Sequence, residues 1–258
     1  MAAAQPLRRL WRNLTTGESP RDPLLADVFK RLRVIILSGV TLGVLVGGVG
    51  GRLAMFVLRL TSPDTVRGVI SDDGFEIGRV TLGGSYGLCL IAAAIGLIGA
   101  AVYGLVAPWL IGPAWFRRST CALGAGAVVG SMLVHADGGD FTLLKPTWLA
   151  IALFVALPAV FGALIGDVRA FYERSDSWVS AGRRRWLLPI VAVVCFPLTI
   201  FVVLLITLAL FVLLPVRSSL RLRQLRAIAA FRFAARTVWC VIAGAGLASL
   251  IGDVDQLI

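Results

Sequence analysis

The feature that most constrains this chain is where its charge is missing. Asp, Glu, Lys and Arg are absent from residues 34–51, 80–116, 119–136, 146–166, 186–216 and 237–252. A hydrocarbon core of about 30 Å is crossed by roughly 20 apolar helical residues. Lipid offers no partner for backbone N–H and C=O groups, so a spanning segment is a helix or part of a closed barrel. None of the runs alternates apolar and polar residues in the way barrel strands do. The sequence therefore predicts an all-α fold, a polytopic transmembrane helical bundle of about six spans. They fall near residues 34–60, 81–110, 119–135, 147–166, 190–216 and 237–252, the last being marginal in length.

Composition agrees: 58% of the 258 residues are hydrophobic and 15% are charged, against about 25% charged in soluble domains. The net charge of +11 raises the question of nucleic acid. The basic residues, however, sit in short segments beside the apolar runs, where charge bias and anionic head groups place them in membrane proteins. The expected partner is the lipid bilayer, and nucleic acid is not expected. Cys89, Cys121, Cys195 and Cys240 lie within apolar runs without ligand-like spacing, which argues against a disulfide framework or zinc site. No cofactor motif of the Walker, dinucleotide or haem type occurs. Arginine outnumbers lysine 23 to 2, a bias that points to a high-GC bacterial genome and hence a bacterial plasma membrane.

Residues 1–33 carry seven Lys/Arg and read as a cytoplasmic tail with a short helix near its end. A secretory signal has a shorter polar lead and a shorter apolar stretch. Residues 61–79 and 137–145 are poor in basic residues, whereas 167–185 holds five arginines; the former two are expected outside and the latter inside. The run at 186–216 strains this scheme. At about 1.5 Å per residue it is roughly 46 Å long, too long for one upright span, and it contains Pro189 and Pro197. Either an interfacial piece precedes a true span, or the element is re-entrant. The first reading gives six spans but puts the six arginines of 217–236 outside; the second keeps them inside.

Small residues recur every fourth position. Gly39, Gly43, Gly47 and Gly51 share one face of the first span, and Gly244, Ala248 and Gly252 share one face of the last. Such faces let another backbone approach closely, either within the subunit or in a homo-oligomer or membrane-protein partner.

Few residues are candidates for chemistry. Arg52 closes the first apolar run; it snorkels to the interface, or it meets a solute or pairs with Asp72, Asp73 or Glu76 in the next loop. That loop contains Asp73-Gly74 between β-favouring residues, a hairpin turn signal, so a small external hairpin is expected there. His135, Asp137 and Asp140 could hold a divalent metal, or form an ordinary polar loop. Gly83-Gly84-Ser85-Tyr86-Gly87 fits G-x-S-x-G, but a nucleophile needs a strand–turn–helix elbow, whereas this segment opens an apolar helix.

Residues 47–56, 71–79 and 137–150, with the stretch from Arg236 to Ile258, resemble a group of multi-pass membrane proteins of high-GC Gram-positive bacteria to which no activity is assigned. The resemblance implies architecture and membrane location only. Three functions compete: a non-enzymatic assembly or accessory subunit, a small-solute or ion transporter, and a membrane enzyme using Ser85 or the His135 cluster. The abundance of packing glycines and the shortage of polar groups in the spans favour the first.

Overall fold

A computed structural model of the chain describes residues 23–63, 68, 81–134, 145–174, 184–218 and 229–257. Helix is the only regular structure among them. Four helices are long and apolar enough to cross a membrane: Leu24–Thr61, Leu82–Trp109, Thr147–Glu173 and Arg236–Leu257.

The first comprises α1 (Pro23–Leu42), a π-helical segment (Gly43–Gly50) and α2 (Gly51–Thr61) without a break. The expected boundary between tail and span at residue 34 is thus not a structural one. Val28 and Arg33 are buried with the apolar residues that follow them. Helix α3 (Leu82–Val106) ends in a short 3-10 turn, Ala107–Trp109. It begins at Thr81, whose extended backbone and side-chain oxygen, accepting from Gly84 N, cap its first turn. Helices α4 (Ala114–Leu133) and α5 (Thr147–Glu173) follow.

Glycine sets the way these helices pack. A Cβ on Gly39 would lie 2.8 Å from Gly96 O and Leu97 Cα, and one on Gly43 would strike the Ala92 carbonyl. Helices α1 and α3 are therefore antiparallel and in backbone contact. Gly162 of α5 meets the Cys121 carbonyl of α4 in the same way, while Gly126 and Gly130 of α4 face Ala159 and Val155. Close approach of this kind supplies the dispersion that holds helices together where lipid is as apolar as the side chains. One core cluster joins Ile35, Ile36, Val40 and Leu42 to Ala93, Leu97, Ala100 and Ile165. A second joins Leu58, Val134, Ala150, Ile151 and Leu250.

These contacts give the bundle two ends. At the Trp109 end lie the start of α1, the end of α3, the start of α4 and the end of α5. At the Ser62 end, the Ser62 hydroxyl donates to Lys145 O (3.2 Å) and accepts from Lys145 N (3.0 Å), tying α2 to α5.

The long fifth run forms two helices, α6 (Arg184–Cys195) and α7 (Thr199–Ser218). Pro197 has no N–H to continue the ladder. Thr199 N and its hydroxyl turn back to Phe196 O instead. The break sits beside Tyr86, near the start of α3, because the Tyr86 hydroxyl donates to Cys195 O at 2.7 Å. From there both helices lie against α1, and α7 also against α3. Val202, Val203, Ile206 and Leu210 pack on the cluster containing Ala93, Leu97 and Ala100. Helix α7 thus runs alongside α3, back toward the Trp109 end.

The last helix, α8 (Ala229–Leu257), starts at that same end, where Arg236 Nε donates to Trp109 O. It packs on α4 through Gly246, against Ala127 and Val128, and finishes with Leu250, Val254 and Leu257 on the Ser62-end cluster. Six crossings were expected, and four helices have the length and apolar character to make one. The first helix begins at one end and the last finishes at the other, which six full crossings would not give. The Pro197 break divides the fifth run into two helices. The expected external hairpin and the ends of the 1–33 tail lie outside the described residues, apart from the helical residues from Pro23 on.

Candidate functional site

Arg52, the second residue of α2, is half-buried and engaged by a partner. Asp72, Asp73 and Glu76, its expected partners, lie outside the described residues, as do His135, Asp137 and Asp140. Among the described residues no three His, Cys, Asp or Glu side chains gather closely enough to hold a metal ion. Ser85 lies in the first turn of α3, where its hydroxyl donates to Thr81 O at 2.9 Å. Its glycine neighbours Gly83 and Gly87 have open space at their Cβ positions. The G-x-S-x-G segment is thus a capped helix start, not a nucleophile elbow.

The structure brings together residues that the sequence did not single out. Near the Trp109 end, Arg118 Nη2 of α4 meets Asp167 Oδ1 of α5 at 2.8 Å. On the next turn, Arg169 Nε pairs with Glu173 Oε1 at 2.8 Å, and its guanidinium lies 5.9 Å above the Tyr103 ring of α3. Gly104 and Gly166 make room for this layer: a Cβ on the first would lie 3.1 Å from Arg169 Nη1, and one on the second 2.8 Å from the Tyr103 hydroxyl. One turn of helix away, Tyr172 and Thr41 share a hydrogen bond of 3.0 Å. Each pair joins residues far apart in sequence or one helical turn apart; only the latter spacing is visible without a fold. These contacts tie α3, α4 and α5 together near the Trp109 end.

The small-residue faces separate into two kinds. Gly39, Gly43 and Gly47 all contact α3, and Gly51 is buried against Leu88, so the first span spends its face inside the chain. On α8, a Cβ at Gly244 or Gly252 would meet nothing within 4 Å. Cys240, Gly244, Ala248 and Gly252 are all exposed and share one helix face by their four-residue spacing. Only 6% of the apolar window of α8 is buried, against 61% for the first helix. This three-residue face has no described helix against it, a property it shares with the shorter Gly83–Gly87 pair at the start of α3.

An all-helical bundle with four helices of membrane-spanning length and apolar surfaces facing outward has the architecture of an integral membrane protein. The chain matches no known protein family model, no curated protein and no solved structure.

Proposed function

We propose that this protein is a non-enzymatic assembly or accessory subunit of a bacterial plasma membrane, binding another membrane helix through α8. The observation that carries this reading is the open Gly244–Ala248–Gly252 face, since the comparable Gly39–Gly43–Gly47 and Gly126–Gly130 faces are filled by the chain's own helices. In lipid, two helices associate where small residues let their backbones meet. The partner is a second copy or a helix of a different membrane protein, and no cofactor is involved.

Charge supports an orientation. Lys30, Arg31, Arg33, Arg117, Arg118, Arg169, Arg174 and Arg236 gather toward the Trp109 end, against Arg52, Arg59 and Lys145 toward the other. By the charge rule the Trp109 end is cytoplasmic, with the N-terminus inside and the end of α8 outside. The chain then makes five end-to-end passes, with α6 and α7 as an element that enters and returns. This keeps the arginine-rich stretch between α7 and α8 cytoplasmic. The same broken element favours a second reading, a small-solute or ion transporter, because transport sites are often built on interrupted helices.

The test is a photo-crosslinking side chain at Ala248 in living cells. A protein adduct of one discrete mass is expected, and Gly244→Leu should remove it. Adducts with lipid alone would sink the proposal.

A further inference from the structure

The first helix holds one residue more than an α-helix needs between its two packing faces. Toward α3 it presents Gly39, then Gly43, at the four-residue step of an α-helix. Both Gly47, against Ala92, and the buried Gly48, against Cys89, then face α3, and after them come Gly51 against Leu88 and the buried Ala54 and Leu58. From Gly43 to Gly48 is five residues; the later steps are three and four. The surplus residue is taken up by the π-helical turns of Gly43–Gly50. Such turns are rare, short, and concentrated where helices carry function.

The sequence around the surplus residue suits two arrangements. Suppose the segment relaxes to α geometry while α1 stays on α3. Each later residue then turns by about 100° and shifts by about 1.5 Å, taking the place now held by its successor. Gly47 then replaces Gly48 and Gly50 replaces Gly51. The doublets Gly47-Gly48 and Gly50-Gly51 thus offer a glycine to the close helix contact in either arrangement. Further along, Leu53 replaces Ala54 and Val57 replaces Leu58, a net gain of side-chain volume at the contact that costs about 1–3 kcal/mol and keeps this arrangement the minor one. Arg52, half-buried now, moves to the place of Leu53, which is 61% exposed.

We propose that Gly43–Gly50 is a two-position switch whose change from π to α geometry rotates α2 by one residue and brings Arg52 out of the bundle. A helix whose two packings lie about 1.5–2 kcal/mol apart keeps the minor one populated at about 3–7%, and any ligand of Arg52 would bias the two. The inference does not depend on the role proposed for α8.

Two variants hold the present arrangement. Deleting Val46 removes the surplus residue and leaves both faces aligned in a plain α-helix. Leu53→Trp leaves an exposed side chain exposed, but the indole does not fit the place of Ala54, which is 4% exposed. The measurement is the distance distribution between spin labels at Phe56 and Leu133, both exposed near the Ser62 end, in a full-length, cysteine-free chain in nanodiscs. Two populations are expected in the parent, with the minor one at least about tenfold depleted in either variant. A single population in the parent overturns the proposal. So does a second population that persists in Leu53→Trp, a variant whose folding does not depend on the deletion.

Discussion

Tyr86 shows what one polar side chain does in an apolar setting. The break at Pro197 frees the Cys195 carbonyl from the helix ladder. The Tyr86 hydroxyl takes that place at 2.7 Å, and its ring stacks near Phe196 with centroids 6.4 Å apart. Interhelical hydrogen bonds in membranes contribute about 0.5–2 kcal/mol. Tyr86→Phe should lower stability by that amount, read as a reduced thermal midpoint in detergent. Arg118→Ala should cost less, under about 1 kcal/mol, because the Arg118–Asp167 pair is half exposed at 54% and 50%. A Phe variant as stable as the parent would mean that the carbonyl finds another donor.

At the scale of the helix, equal glycines have unequal consequences. Gly43 and Gly162 face backbone carbonyls of Ala92 and Cys121, and backbone cannot swing aside as a side chain can. Leucine at either position should cost about 3 kcal/mol or more by overpacking, with loss of the monodisperse peak in size-exclusion chromatography. Leucine at Gly244, where a Cβ meets nothing within 4 Å, should leave the thermal midpoint of the purified single chain unchanged. A clear drop for Gly244→Leu would show that α8 packs inward on that side after all. Spacing alone ranks these positions together; only the neighbouring helix tells them apart.

For the whole molecule, the arrangement predicts which ends face which side. Ile111, exposed in the α3–α4 turn, lies at the Trp109 end, and Gln256, exposed near the end of α8, lies at the other. With the native cysteines removed, a thiol at 256 should react with a membrane-impermeant reagent in intact cells. A thiol at 111 should react only after permeabilisation. The reverse pattern would invert the proposed orientation, and equal reactivity at both positions would contradict the proposed odd number of passes.

The helical class and the positions of the long helices were legible in the chain by itself, because lipid leaves the backbone no alternative and apolar length is countable residue by residue. So was the conflict at 186–216, where length, two prolines and the flanking arginines disagreed. Its outcome was not legible. Whether Pro197 kinks a span or turns it back depends on what meets the freed carbonyl, and Tyr86 lies 109 residues away from Cys195. The same holds for the glycine faces, since a four-residue repeat marks a side where a helix can come close but not whether one does. Gly43 found α3, and Gly244 found nothing in its own chain. The surplus residue at Gly43–Gly50 was hidden for a related reason. A run of small apolar residues satisfies α and π spacing alike, and the tertiary contacts of Gly48, Gly51 and Leu58 with their neighbours decide between them.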